Sequence, residues 1–278
     1  MIDALMDLTA ELRARAPQPP PPGVTQLLGC VEGWGLFRDA QGLHHRALAT
    51  LPAEAGPFDL SPLIDHTLLK ADATADQVAT LCREALDHGF ASVCVNSAWV
   101  PLAAGLLQGA PVRVCTVVGF PLGASLSEAK AAEARAAVAA GAGEVDMVLS
   151  VGHARGGDWD AVARDLAAVR RAVPAPTVLK VILETCLLDD AQKARACDLA
   201  REAGLDFVKT STGFSTGGAT EADIALMRRQ VGLTVGVKAS GGIRTYDTAL
   251  AMVKAGATRL GLSASLAVAQ GRAGSGSY

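Results

Sequence analysis

Residues Thr177–Ser211 read TVLKVILETCLLDDAQKARACDLAREAGLDFVKTS. The run Thr177–Glu184 is short, β-branched and apolar, which suits a strand covered on both faces. An Ala-rich amphipathic segment follows near 190–203, and Phe207–Thr210 is a second short apolar run. Strand, helix and strand in so little chain predict a βαβ unit with a right-handed crossover and parallel strands.

Working outward, the same alternation covers everything past about Ser61. Strands are predicted at Leu63–Leu69, Ser92–Val95, Arg113–Val118, Val145–Ser150, Thr177–Glu184, Phe207–Thr210, Thr234–Ala239 and Arg259–Leu262. Helices are predicted near 75–88, 98–107, 126–140, 158–172, 190–203, 220–230, 245–254 and 263–270. Eight units share residues 61–270, about 26 residues each, the size of a closed (β/α)8 TIM barrel. The competing fold is an open doubly wound sheet. It usually shows a Gly-rich turn after its first strand, and LIDHTLLKADAT holds no GxGxxG. Lys180, Lys209 and Lys238 stand 29 residues apart, a spacing that carries a strand-end position to its equivalent on the next strand.

The composition of the 278 residues agrees with an α/β protein: 50% hydrophobic, 4% aromatic, 29 glycines, mean hydropathy +0.29. A net charge of −3 gives no reason to propose nucleic acid or an acidic membrane as partner. No apolar run approaches the ~18 residues of a membrane helix. Asp3, Asp7 and Glu11 argue against a secretory leader, and six cysteines without a CxxC pair read as reduced thiols, so a cytoplasmic protein is expected. Residues 1–60 form an N-terminal extension. Met1–Ala16 has helical apolar spacing, Pro17–Gly23 suits a polyproline spacer, and DAQG at Asp39–Gly42 suggests a hairpin turn. Residues 271–278 read as a flexible tail ending in Tyr278.

Lysines are scarce, 7 against 18 arginines, yet three fall in strand-like apolar runs. Alternation along Val235–Lys238 turns the valines toward the helices and Lys238 into the barrel. Lys209 and Lys238 then sit near the ends of neighbouring strands, ~4.8 Å apart. Two ammonium groups so close cannot both stay charged cheaply, and one becomes a free amine able to attack a carbonyl. The alternative for each lysine is an internal ion pair with Glu184 or Asp146. Asp146 reads as a proton-relaying carboxylate or a salt-bridge partner; the sequence leaves both open. Asp65 also falls late in an apolar run, and Cys94 could line the mouth. Gly213, Gly241–Gly242 and Gly261–Ser263 lie in loops after late strands, where barrels often bind phosphate through backbone N–H groups. Ser263 could cap the last helix or donate to the phosphate. The five histidines lack metal-ligand spacing, and no metal or cofactor is expected.

IDHTLLKADAT (Ile64–Thr74), SVCVNSAWV (Ser92–Val100), EVDMVLSVG (Glu144–Gly152), LKVILET (Leu179–Thr185), FVKTSTGFSTGGAT (Phe207–Thr220) and VKASGGIRT (Val237–Thr245) closely resemble class I deoxyribose-phosphate aldolases. The resemblance implies a metal-free carbon–carbon lyase that cleaves 2-deoxy-D-ribose 5-phosphate reversibly to D-glyceraldehyde 3-phosphate and acetaldehyde. It implies Lys209 as Schiff-base lysine, Lys238 as the lysine perturbing it and Asp146 as proton relay. It places Asp65, Thr67, Cys94 and Lys180 near the substrate, and Gly213, Gly241, Gly242, Gly261 and Ser263 against phosphate. A homodimer is implied too. Three features depart from the pattern: Ala264 follows Ser263 where many relatives have a second serine, Phe214 replaces a lysine of some relatives, and residues 1–60 have no counterpart. Some members end in a tyrosine that enters the site, a role open to Tyr278. Competing readings are a transaldolase-like Schiff-base enzyme acting on another phosphosugar, and a phosphosugar isomerase or silent phosphate-binding barrel needing no reactive lysine.

Overall fold

The computed structural model describes residues 20–31, 34–47 and 58–271. Three antiparallel strands come first: β1 (Gln26–Val31), β2 (Trp34–Asp39) and β3 (Gly42–Ala47). The turn expected at Asp39–Gly42 joins β2 to β3, with Gln41 N–H donating to Asp39 Oδ1 at 2.8 Å. Val24 N–H donates to Pro21 O at 3.1 Å, so the proline-rich spacer closes in a turn before β1 rather than running extended into it. The expected first helix, the first three residues of the spacer and the tail with Tyr278 lie outside the described residues.

The barrel alternates as the sequence predicts. Its strands and helices run β4 (Ile64–Leu68), α1 (Ala75–His88), β5 (Ser92–Val95), α2 (Val100–Leu106), β6 (Arg113–Val118), α3 (Ser127–Ala139), β7 (Glu144–Val148), α4 (Val151–Gly156), α5 (Trp159–Ala172), β8 (Val178–Ile182), α6 (Asp190–Glu202), β9 (Phe207–Lys209), α7 (Glu221–Val231), β10 (Gly236–Ser240), α8 (Tyr246–Ala255), β11 (Arg259–Leu262) and α9 (Ser265–Ala269). Each strand pairs in parallel with the next, and β11 closes the barrel on β4 through Leu260↔Ile64. The short α4 falls in a stretch that carries no prediction; six residues are too few to show helical periodicity. The helices begin where side chains can accept orphan N–H groups. Thr74 with Gln77 and Asp189 with Gln192 form capping boxes, and Asp158, Thr220 and Thr245 cap α5, α7 and α8. Each such cap contributes about 1 kcal/mol.

Alternation sets the two faces of each strand. Val93, Val145, Val181, Val208, Val237 and Leu260 are buried in the main hydrophobic cluster with the helices, where alanines such as Ala134 and Ala137 let α3 approach closely. Leu27 and Phe37 join the same cluster, and Phe58 N–H donates to Tyr246 Oη at 2.7 Å, so the small sheet is packed on the barrel. No helix among the described residues is long and apolar enough to cross a membrane.

Candidate active site

Seven buried charged residues lie at strand positions of the barrel: Asp65, Glu144, Asp146, Lys180, Lys209, Lys238 and Arg259. Asp146, on β7, is fully buried and meets three ammonium groups. Its Oδ1 accepts from Lys180 Nζ at 2.8 Å, and its Oδ2 accepts from Lys209 at 2.9 Å and Lys238 at 2.7 Å. Lys209 and Lys238 are register partners on β9 and β10, as expected. The 29-residue step from Lys180 fails, because Lys180 pairs with Phe207, two residues before Lys209. Barrel stagger offsets neighbouring strands by amounts that linear spacing does not record. Lys180 reaches Asp146 from that position and pairs with Glu144 at 2.6 Å.

The ion cluster continues beneath. Lys238 pairs with Asp65 at 2.5 Å, and Arg259 bridges Asp65 at 2.6 Å and Glu144 at 3.2 Å. Four buried cations (Lys180, Lys209, Lys238, Arg259) thus share three carboxylates (Asp65, Glu144, Asp146), and the exposed Arg113 reaches Glu144 from outside at 3.6 Å. Lys209 differs from the rest. It is 3% exposed where Lys180 and Lys238 are sealed, and it touches one carboxylate where the others touch two. Glu184, the alternative lysine partner, instead accepts from Thr212 N–H at 3.3 Å and from the Thr212 hydroxyl.

Burial opposes charge on Asp65, Asp146, Lys180 and Lys238, but the neighbours prevail. Lys180, Lys209 and Lys238 hold the Asp146 carboxyl well below the usual carboxylate range despite its desolvation. Arg259 and Lys238 do the same for Asp65. Conversely, Asp146 and Asp65 outweigh desolvation at Lys238 and raise it well above the ordinary lysine value. Lys180 is raised in the same way, chiefly by Asp146.

Thr67 and Cys94 are buried register partners on β4 and β5, and Thr67 Oγ1 donates to Asp65 O at 2.8 Å. Gly213, Gly241 and Gly242 lie in the loops after β9 and β10 with φ of +87°, +88° and +78°, conformations that glycine adopts without a Cβ penalty. Those two loops touch closely: Ala219 N–H donates to Gly241 O at 3.0 Å, and a Cβ on Gly218 would stand 2.3 Å from the same oxygen. Gly261 is not in a loop. It lies within β11, where a Cβ would meet Lys238 Cε at 3.0 Å, so its missing side chain makes room for that lysine. Ser263 does not cap the last helix; Ala264 holds that position without a side-chain bond. Phe214, 46% exposed, meets Phe120 edge-on at 5.3 Å.

Three participants escaped the sequence reading, and a fourth, Glu184, was named there only as a lysine partner. Arg259 and Glu144 were legible as charges at inward strand positions. Cys115, whose Sγ stands 3.2 Å from Asp146 Oδ1, carries no sequence signal beyond its place in a strand. Glu184 is the only non-glycine residue with positive φ among those described, at +55°, and it is 4% exposed.

A parallel (β/α)8 barrel with lysines gathered on one buried carboxylate below its C-terminal mouth defines a barrel lyase equipped for imine chemistry. Comparison with known proteins narrows the class. Residues 61–271 match the model of the DeoC/LacD family aldolases, and the chain belongs to that family. It is 58% identical over 220 residues to a deoxyribose-phosphate aldolase of Brevibacillus brevis, covering 79% of this chain and 99% of the relative. A deoxyribose-phosphate aldolase of a Geobacillus species is 54% identical with the same coverage. Among solved structures, the tetrameric deoxyribose phosphate aldolase of Aeropyrum pernix superposes with a TM-score of 0.71 at 38% identity, over 76% of this chain and 89% of that one.

Proposed function

We propose that this chain cleaves 2-deoxy-D-ribose 5-phosphate reversibly to D-glyceraldehyde 3-phosphate and acetaldehyde, with Lys209 as the Schiff-base nucleophile. The observation that carries the assignment is the position of Lys209: of the three lysines on Asp146, it alone is not sealed from solvent. It also contacts a single carboxylate, Asp146, which keeps Lys180 and Lys238 when Lys209 is neutral.

In this reading the Lys209 amine adds to the C1 aldehyde, and the carbinolamine loses water to give an iminium. A base takes the C3 hydroxyl proton, the C2–C3 bond breaks, and its electron pair moves into an enamine. Protonation at C2 and hydrolysis release acetaldehyde and restore Lys209. Asp146, working with Lys238 and water, handles the proton transfers. Lys180 is sealed below the site, so its role is to hold Asp146 from beneath. Asp65 orients Lys238, Thr67 and Cys94 wall the opposite side, and Gly261 leaves space for the Lys238 stem. The loops carrying Gly213, Gly241 and Gly242, with Ser263, offer backbone N–H groups to the phosphate, whose binding energy positions carbons remote from it. The enzyme works in the cytoplasm, in keeping with its unpaired cysteines, and as a homodimer; sedimentation equilibrium tests the latter against the tetramer of the Aeropyrum relative.

The deciding experiment is borohydride trapping with acetaldehyde followed by peptide mass mapping. The expected result is one reduced adduct on Lys209 that is absent from Lys209→Ala. An adduct on Lys238 or Lys180 overturns the assignment of the nucleophile, and no adduct on folded protein overturns the imine mechanism.

A further inference from the structure

We propose that Cys94, Cys115 and Asp146 form a binding site for a thiophilic divalent cation of the Zn2+ class, and that occupancy of this site silences the enzyme. The three side chains come from consecutive strands, β5, β6 and β7, and each is fully buried. One ligand atom from each, two thiol sulfurs and a carboxylate oxygen, lie within 4.8 Å of one another. Cys94 and Cys115 are register partners, so the barrel backbone fixes the sulfur pair, and Cys115 Sγ already rests 3.2 Å from Asp146 Oδ1.

The donor set suits such an ion. Zn2+ binds sulfur at about 2.3 Å and carboxylate oxygen at about 2.0–2.2 Å, so a tetrahedral ion draws two sulfurs to about 3.8 Å apart. Closing the set takes side-chain shifts of about an ångström. Hard cations such as Mg2+ prefer six oxygens and have no comparable set here. Three protein ligands leave a fourth position open, the arrangement of an exchangeable ion rather than a closed structural one. Charge balances as well. Two thiol protons leave to solvent and one divalent ion replaces them, so the net charge of the ion cluster does not change.

A second set of donors, Asp65, Cys115 and Glu144, is also close enough to hold an ion. It is the poorer site. It offers one sulfur, and both carboxylates are engaged by Arg259 at 2.6 and 3.2 Å. Cations crowd both sets, since three ammonium groups lie on Asp146 and Lys180 Nζ stands 3.4 Å from Cys115 Sγ, so the second sulfur is what favours the first set.

The consequence for catalysis follows from Asp146. Through Oδ1, the oxygen beside Cys115, the ion takes the place of Lys180 and draws charge from the carboxylate, so Oδ2 holds Lys209 and Lys238 less firmly and accepts protons less readily. The ion reaches the site by the same mouth that admits aldehyde to Lys209. The inhibition rests on the imine mechanism proposed above, but the existence of the site does not.

The test uses the full chain, treated with chelator, kept under a phosphine reductant, and titrated with Co2+ alone. The expected result is saturation at one ion per chain, with the thiolate charge-transfer and strong visible bands of tetrahedral cobalt. Zn2+ should bleach those bands. Over the same stoichiometric range it should abolish the borohydride-trapped Lys209 adduct, and chelator should restore it. Cys94→Ser and Cys115→Ser, each compared with its own metal-free rate and checked by thermal melting, should lose the bands. They should need roughly 100-fold more Zn2+ for half-inhibition, at least the loss seen when outer partners of a metal site are removed. Alanine at either position serves if serine does not fold. Cys186→Ser removes the exposed thiol and should keep the bands. The proposal fails if the parent shows no thiolate–cobalt bands, if the bands survive in both Cys94→Ser and Cys115→Ser, or if full occupancy leaves imine trapping unchanged. A chain that traps no imine even without metal, yet shows the bands, refutes the catalytic reading and leaves the site standing.

Discussion

Lys238→Met isolates what the second lysine does. Its length and apolar stem suit the same channel beside Gly261, and Asp65 keeps Arg259 at 2.6 Å, so no buried carboxylate is left without a cation. The lost quantity is repulsion. Lys209 and Lys238 both donate to Asp146 Oδ2, at 2.9 and 2.7 Å, so their nitrogens stand no more than about 5.6 Å apart. At an effective dielectric of about 20, two unit charges at that distance repel by about 3 kcal/mol. That repulsion is the cost of placing two ammonium groups on one carboxylate oxygen. Its removal should slow imine formation with acetaldehyde at neutral pH roughly 100-fold. The assay is borohydride-quenched imine formation by mass spectrometry, run as a function of pH, because the effect has a distinguishing mark. If Lys238 acts through charge, raising the pH restores much of the rate in Lys238→Met. A variant as fast as the parent refutes the repulsion argument. A variant equally slow at all pH values assigns Lys238 to proton transfer instead. Lys238→Arg is a useful companion, since it keeps the charge and disturbs the geometry.

Two further outcomes follow from the same contacts. Asp65, Glu144 and Asp146 are held below their ordinary values of 3.8, 4.5 and 3.8, so their stabilisation is present above those values and lost as pH falls through the depressed ones; Lys238 and Lys180 are raised above 10.5, so theirs is present below that value and lost as pH rises beyond it. His66, held below its ordinary 6.5 by burial, adds a loss below that value. The Cys30 and Cys197 thiols, pushed up by burial from 9.0 to about 12, add a loss above about pH 9. Thermal melting should therefore show a plateau from about pH 7 to 9 with losses on both flanks; a steady slope across that plateau would count against the assignment. Gly218→Ala places a Cβ 2.3 Å from Gly241 O and must push the loops after β9 and β10 apart, at about 1–3 kcal/mol. KM for 2-deoxyribose 5-phosphate should rise severalfold while acetaldehyde trapping at Lys209 keeps its rate; equal loss of both would show that these loops do not serve the phosphate.

How far the sequence carried depended on the kind of constraint. The barrel was legible because each strand–helix unit repeats its apolar pattern, and helix starts agree with the structure to within one or two residues over most of the chain. Lys209 and Lys238 were legible because a lysine in an alternating apolar run has only the barrel interior to enter. Stagger was not legible, so Lys180 was placed level with Lys209 when it lies two residues short. Gly261 was read as a loop glycine, although a glycine inside a strand commonly marks a close approach; here the approaching group is a side chain contributed by the neighbouring strand. The left-handed turn at Glu184 had no signal at all, because its conformation is imposed by its contacts with the loop after β9. The partners of the lysines were half legible. Asp146 was named, but nothing linear brings Arg259 and Glu144, 115 residues apart, to one point.

The ion cluster also bears on why the barrel is built this way. A barrel interior is ordinarily filled by branched apolar residues, and replacing buried ion pairs with such residues is often neutral or stabilising by about 1–4 kcal/mol. Seven charged side chains in this interior are therefore poorly explained by stability. Their pattern explains them better. Lys180, Lys238 and Arg259 each bridge two carboxylates and lock them, so the lower cluster is rigid and balanced. Among the buried cations Lys209 is the fourth on three carboxylates and, of the three lysines on Asp146, the one not sealed from solvent. A set with one cation in excess, whose surplus member is the reachable one, holds an amine that can be released for chemistry without leaving any buried carboxylate alone. Exchanging Glu144 for Gln tests this directly: it removes one carboxylate from beneath Lys180 and Arg259 and doubles the excess charge. It should cost about 3–5 kcal/mol of stability, as loss of one partner from a buried pair does, while the trapped adduct remains on Lys209. A Glu144→Gln chain as stable as the parent would mean that the lower cluster is not locked, and the distinction between Lys209 and its neighbours would fall with it.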